Sequence, residues 1–477
     1  MKRYEQLADS IAGRIAADVL RPGDRLPSIR QASRAHAVSP GTVQMAYQLL
    51  EDRGAIRTRP RSGYYVNARA QRSAPEPDTS APPDCCTEVD VSDLVFEILD
   101  TARNDTIVQL GSAFIDFAAF PLAKLARAHA GAARRLEPRR MVEDLPPGNQ
   151  DLRRAIARRY NACGVELDID DIVITSGGLD ALNLCLQTVT RPGDAVAIES
   201  PAFYAALQAI ERLGLRAVEL RTHPRDGVDP DALAEAIARH PIRACWLMPS
   251  FQNPLGATMP PERKRALVEL LARHEIPLIE DDVYGELHFG NDKPRPAKAW
   301  DRAGLVLHCA SFSKCLAPGY RVGWAAPGRY ARDVARMKIM TTLSAGIPAQ
   351  AAIAEYLTHG GYDRHLRTLR RDLETRCALM TAAITRHFPD NTCVTRPSGG
   401  YFLWLYMPGI DTLALHRVAL AEGISIAPGP IFSPTRQFGH CMRLNFGQPW
   451  NARTEAAIAT LGRLVAAMGA RAVALES

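Results

Sequence analysis

Apolar residues recur at every fourth position near the start of the chain: Leu7, Ile11, Ile15 and Val19. That spacing predicts an amphipathic helix over residues 6–19, closed by the turn chemistry of Arg21-Pro22-Gly23-Asp24. A second helix starts within Leu26-Pro27-Ser28-Ile29-Arg30, with Ser28 as its cap, and a third at Ser39-Pro40-Gly41-Thr42-Val43. Ser39 can cap the third, and Pro40 suits a first helical position. Val43, Ala46, Tyr47 and Leu50 form its buried stripe, and Gly54 fits just past its end. Two short strands, residues 55–58 and 64–66, then flank the basic tip Arg59-Pro60-Arg61-Ser62-Gly63. Helix, turn, helix and basic hairpin read as a winged helix-turn-helix. Its last helix would offer Gly41, Thr42, Gln44 and Gln48 to a major groove, and the wing arginines would meet phosphates. A small helical dimerisation domain with a solvated basic face is the alternative.

The pattern breaks at residues 67–90. Ser73-Ala74-Pro75-Glu76-Pro77-Asp78-Thr79-Ser80-Ala81-Pro82-Pro83 supports neither helix nor central strand, and reads as a flexible tether. A short amphipathic helix over residues 91–103 leads out of it.

From about residue 145 helical and strand periods alternate, the mark of an α/β fold with a mostly parallel sheet. Five apolar runs each end in chemistry. Residues 172–175 lead to Ser176-Gly177-Gly178-Leu179-Asp180, a glycine turn opening a helix and hence an anion site. Residues 195–199 lead to Ser200-Pro201-Ala202-Phe203-Tyr204, where either aromatic can stack on a flat ring. Residues 244–248 lead to Asn253-Pro254-Leu255-Gly256. Residues 276–279 lead to Glu280-Asp281-Asp282-Val283-Tyr284. Residues 305–310 lead to Ser311-Phe312-Ser313-Lys314, with Arg321 seven residues on. An amine, hydroxyls and a guanidinium at one strand end suit an aldehyde cofactor with a phosphate tail: the amine forms the imine, the others hold the phosphate. Taken singly, each motif is also an ordinary turn. Five at strand ends, where open parallel sheets collect ligands, are hard to explain as independent turns.

Charge sharpens the division. Residues 1–72 hold 13 Lys and Arg against 6 Asp and Glu, a surplus of +7 within a net charge of +6. The body is therefore nearly neutral, and the basic character belongs to the first segment. The ten cysteines are scattered, without metal-ligand spacing, and imply reduced thiols and no metal. No run of about 20 apolar residues occurs, and the start has no secretory pattern. A cytoplasmic location is expected.

Residues 22–28, Arg30, Val38-Ser39, Thr42-Val43, Tyr47 and Gly54 resemble the DNA-binding domain of GntR-type regulators. The resemblance puts Arg30, Thr42 and the wing glycine Gly63 at double-stranded DNA; Ser39, Pro40, Gly41 and Gln44 at the start of the third helix, and Arg61 in the wing, are expected there as well. The body resembles fold-type I aminotransferases of class I/II, which use pyridoxal 5′-phosphate (PLP). Carried over, Lys314 bonds the cofactor and Asp281 binds its ring nitrogen. Asn253 and Tyr284 address the ring oxygen, and Phe203 stacks. Gly178, Leu179, Ser311, Ser313 and Arg321 hold the phosphate, and Arg443 grips a substrate or effector α-carboxylate. One feature departs: the tyrosine usual five residues before the glycine of Pro146-Pro147-Gly148 is replaced by Glu143-Asp144 surroundings.

The combination resembles the MocR subfamily of transcriptional regulators. It implies a winged helix at 1–68, a linker and connecting helix at 69–105, and an aminotransferase-like body at 106–477 with a smaller α+β part from about 351. It also implies a homodimer with exchanged DNA-binding domains. Two functions stand: a regulator whose body senses PLP or an amine or amino acid, and a working aminotransferase carrying an autoregulatory DNA-binding domain. A body serving only as a dimerisation platform is the blandest reading.

Overall fold

The structure, a computed structural model, describes residues 3–16, 19–20, 23–52, 55–59, 63–66, 74–100 and 106–476. Pro22, Gly54 and Arg61, singled out above, lie outside the described residues. By its internal contacts the chain divides into two compact units, residues 1–75 with 375–393 and 450–477, and residues 76–374 with 394–449.

In the first unit, α1 (Arg3–Ala16), α2 (Ile29–Ala35) and α3 (Pro40–Asp52) precede a hairpin of β1 (Ile56–Arg59) and β2 (Gly63–Val66). The helix spacing works as expected: Leu7, Ile11 and Ile15 share one core with Val43, Ala46, Tyr47 and Leu50. Val19 does not join them; it lies past the helix end and is 59% exposed. A capping box fixes the start of α2, with Ser28 and Gln31 bonding each other's backbone amides. The Thr42 amide donates to Ser39 Oγ at 3.2 Å at the start of α3. Tyr47 anchors α3 by donating from its hydroxyl to the Pro27 carbonyl, 2.8 Å away. Ile56 pairs with Val66 across the antiparallel hairpin, and Gly63 sits at φ +104°, a conformation open chiefly to glycine.

Residues 76–88 do not behave as the flexible tether expected. Cys86–Glu88 forms an antiparallel edge strand on Arg216–His223, and Ser80 exchanges hydrogen bonds with Thr222. Proline bars the stretch from a central strand, but an edge needs only a few amides on one side. The helix Ser92–Asp100 follows, its Val91 and Val95 side buried in the body.

The body is built on one mixed sheet. Its strand order is Cys86–Glu88, Arg216–His223, Ala195–Ser200, Ile242–Leu247, Leu278–Asp281, Val306–Ser311, Gly323–Ala326, Val173–Thr175. The five strands from Arg216–His223 to Val306–Ser311 run parallel; Cys86–Glu88 and Gly323–Ala326 run against them, and Val173–Thr175, antiparallel to Gly323–Ala326, runs with them. The inner strands are buried along almost their whole length, because helices cover both faces. Two apolar clusters fill the two sides. A second, antiparallel sheet pairs Phe402–Tyr406 with Cys441–Asn445 and sets Trp404 beside Arg443.

Candidate cofactor and effector site

Strand Val306–Ser311 ends in a turn that carries Ser313 and Lys314 outward. Just before them Phe312 is fully buried and packs on Trp324 at 4.9 Å between ring centroids, so the turn is pinned from below. Lys314 is partly buried. Its Nζ donates to the Ala113 carbonyl at 2.9 Å and lies 5.4 Å from the centroid of the Phe114 ring. Burial lowers its pKa to about 8, with Arg443 adding to the effect and Asp281 opposing it. An amine near neutrality is a usable nucleophile.

The three acids after strand Leu278–Asp281 have three different fates. Glu280 accepts the amides of Ala297 and Lys298. Asp282 faces His308, whose Nε2 is 3.2 Å away. Asp281 accepts a 3.4 Å bond from the Val283 amide and has the Trp246 indole N–H nearby, and among the described residues its buried Oδ2 makes no hydrogen bond. Burial, with a smaller contribution from nearby Asp282, pushes its pKa up to about 7. A second unsatisfied group is Asn253 Nδ2, a buried donor. Asn253 Oδ1 is already taken by Arg443 Nη1 at 2.9 Å. Among the buried groups left without a partner, the acceptor at Asp281 and the donor at Asn253 match a pyridinium N–H and a ring oxygen, so the residues present fit PLP. Tyr284 is fully buried beside them, edge-on to Tyr401.

At the far end, helix Gly178–Val189 starts from Gly177 at φ +104°. Its first amides lack helical partners and point their dipole outward. A Cβ on Gly177 would stand 2.5 Å from Arg321 Nη2, and one on Gly178 2.8 Å from Val283. Arg321 itself is left-handed at φ +52°, a costly conformation outside glycine. It donates to Ser313 Oγ at 3.3 Å and to the Ser176 carbonyl at 3.2 Å. Ser311 Oγ is 3.3 Å from the Ser313 amide. Arginine, two hydroxyls and helix amides thus converge in one cup suited to a phosphate.

Gly178, Leu179, Phe203, Asp281, Tyr284, Ser311, Ser313, Lys314 and Arg321 all line one cleft of about 870 Å³. Phe203 forms wall, whereas Tyr204 turns into the core against Phe432, which separates the two aromatics. Arg443 and Asn253 lie beneath the wall instead of in it. Arg443 is fully buried, bonds the Gly111 carbonyl at 2.7 Å, and keeps Nε unpartnered. A carboxylate would have to displace Gly111. Asp144, near the departure noted above, is buried and accepts from Asn149 Nδ2 at 2.9 Å and from Arg140. That carboxylate is committed to local structure.

Sequence reasoning missed Tyr401, whose hydroxyl shares the Ala113 carbonyl with Lys314. It also missed Phe114, Phe117 and Phe120, which line the same cleft. Their spacing of three just ahead of Pro121 was a visible signal. It missed Lys338, fully buried, whose Nζ bonds Asp180, Ser176 and Thr342 behind the cup.

In the first unit, Arg30, Ser39, Pro40, Gly41 and Gln44 are exposed, and Thr42 and Gly63 are partly so. The residues named for DNA on α3 thus lie on its outward face.

A family model for aminotransferase class I and II matches residues 106–460, and one for bacterial regulatory proteins of the gntR family matches residues 3–66. The chain belongs to both families. It is a MocR-type transcriptional regulator, a gntR-family domain joined to an aminotransferase-like body. It is 46% identical to the HTH-type transcriptional regulator YdcR of Escherichia coli (strain K12) over 98% of this chain and 99% of that one. Against the HTH-type transcriptional regulator YjiR of the same organism the identity is 39%, over 98% and 99%. Among solved structures, kynurenine aminotransferase of Pyrococcus horikoshii, in complex with PMP, superposes with a TM-score of 0.73 at 27% identity. That match covers 78% of this chain and 94% of the other. No helix among the described residues is long and apolar enough to cross a membrane.

Proposed function

We propose that the body of this regulator holds PLP at Lys314 and reads an amino acid there, and that occupancy alters DNA binding by the first domain. The observation that carries the reading is the orphan pair, Asp281 Oδ2, which lines the cleft with Lys314, and Asn253 Nδ2, which is buried against Arg443. In a folded core such groups are rarely left unsatisfied. When bound, PLP would supply an electrophilic carbon and an electron-accepting ring. Asp281 would hold the ring nitrogen protonated, and Phe203 would fix the ring plane. Arg321, Ser311, Ser313 and the amides of Gly178 and Leu179 would hold the phosphate. Tyr284 and Asn253 would orient the ring oxygen. Arg443, released from the Gly111 carbonyl, would take a carboxylate in two parallel bonds.

Arg30, Ser39, Pro40, Gly41, Thr42, Gln44, Arg61 and Gly63 are proposed to meet operator DNA. A homodimer with exchanged DNA-binding domains is proposed on the resemblance to the subfamily, and light scattering with inter-subunit cross-linking tests it. The second reading, a working aminotransferase, is favoured by one observation: the residues expected of catalysis, Lys314, Asp281 and Arg443, are all retained.

The deciding experiment is the absorbance of purified protein with PLP, followed by addition of single amino acids. A visible band absent from Lys314→Ala supports the cofactor site, and a shift without keto-acid product supports the sensor. Steady keto-acid formation would favour the enzyme. No band in the wild type would refute the PLP reading.

A further inference from the structure

The cofactor groups occupy only part of the cleft. The large apolar side chains of the remaining wall include Phe114, Phe117, Phe120, Leu122, Leu179 and Leu182; Tyr320 adds a ring with a hydroxyl. Phe114, Phe117 and Leu122 are 50–52% exposed and Leu179 is 45% exposed, a high value for large apolar side chains on one concave surface. The phenylalanines form a run, Phe114 to Phe117 at 6.1 Å and Phe117 to Phe120 at 6.5 Å between centroids. The run begins at the lysine, whose Nζ is 5.4 Å from the centre of Phe114. It therefore flanks the place where a bound amine would project its substituent.

The charged residues of the cleft lining are Asp281, Lys314 and Arg321. Each already has a task in the proposed cofactor site: ring nitrogen, covalent amine, phosphate. Among the described residues of this chain's cleft lining, none is left to neutralise a side-chain carboxylate or ammonium. An ion brought against the phenylalanine run would lose water and gain no partner. An apolar side chain would cover the exposed rings and lose little.

We infer that the ligand read by this site is an α-amino acid with an aromatic or large aliphatic side chain, selected by Phe114 and Phe117. The inference rests on the PLP reading above and goes beyond it by naming the ligand class. Covering a phenyl or isobutyl group on this wall is worth about 10- to 100-fold in affinity over a methyl group.

The test is a titration of PLP-saturated protein with phenylalanine, leucine, alanine, aspartate and lysine, followed by absorbance and by calorimetry. Phenylalanine or leucine is expected to bind at least about tenfold tighter than the other three. Phe114→Ala should erase most of that preference while alanine affinity stays within about twofold. Phe117→Ala, farther from the lysine, should do the same to a smaller degree and serves if the first variant folds poorly. Tightest binding by aspartate or lysine overturns the inference. So does an unchanged preference in both variants, which would mean that something other than the ligand covers the wall. In either case a normal PLP band leaves the cofactor reading standing. Loss of the band in the wild type would remove both.

Discussion

Lys314 shows how one residue's surroundings set its chemistry. A lysine in water is almost wholly protonated at neutral pH. Burial, with Arg443 close by, lowers this one to about 8. Only the unprotonated amine adds to an aldehyde, so the rate of PLP uptake by cofactor-free protein should climb about tenfold per pH unit below 8. Above that it should level off. Stopped-flow absorbance across pH 6–10 checks this, and a flat profile would mean the amine is not the group that titrates. Asp281 complements it. Burial raises its pKa to about 7, but a ring N–H against Oδ2 would favour the carboxylate. Asp281→Asn keeps the shape and removes the charge. It should weaken PLP binding by about tenfold or more, read from the absorbance titration, a loss of roughly 1.4 kcal/mol or more.

The phosphate cup is a property of elements, because no single residue makes it. Gly177 lets the helix Gly178–Val189 begin where Arg321 can reach the Ser176 carbonyl. Gly177→Ala would push a Cβ to 2.5 Å from the guanidinium in a backbone conformation alanine resists. PLP affinity should fall about tenfold while affinity for pyridoxal, which has no phosphate, changes little; a parallel loss for both would place the damage elsewhere. Behind the cup, Lys338 ties helix Ala331–Thr342 to the same turn through Asp180 and Ser176. Lys338→Met would leave Asp180 without its cation, but Asp180 is still partly wetted and keeps the Ser176 amide, so the cost belongs at the low end for a buried pair, about 3 kcal/mol. Urea melts would show it as a lower midpoint. These elements were unevenly legible. Strand-end motifs such as Ser311 to Lys314 stood out, because an apolar run followed by chemistry is local in sequence. The pairing of Lys338 with Asp180 was not, since 158 residues separate them. The edge strand Cys86–Glu88 was hidden for a different reason. It is three residues long, follows prolines, and exists only because Arg216–His223 offers an open edge.

At the scale of the whole chain, charge separates two jobs that the sequence places side by side. Residues 1–72 carry a surplus of +7 and the body is close to neutral, so the salt dependence of operator binding should belong to the first domain. Arg30 is exposed, and Arg30→Ala should lower the slope of log affinity against log salt by about one for each subunit bound. Changes in the cleft should leave that slope alone and move the affinity itself. If the body is a sensor, an amino acid bound beside Lys314 must interact differently with the states that bind DNA well and poorly; otherwise it shifts nothing. Coupling of this kind is commonly about 5- to 150-fold. Operator affinity measured by fluorescence anisotropy, with PLP present, should therefore change at least about fivefold on adding the tightest-binding amino acid. Lys314→Ala should show no such response while binding the operator with the wild-type salt slope. Reciprocity supplies the stricter check. Saturating operator DNA must change the amino acid's apparent affinity by the same factor, in the same direction. A response in only one of the two titrations would rule out equilibrium coupling between cleft and winged helix. A body that turned over amino acids without any response would then be an enzyme sharing a chain with a regulator.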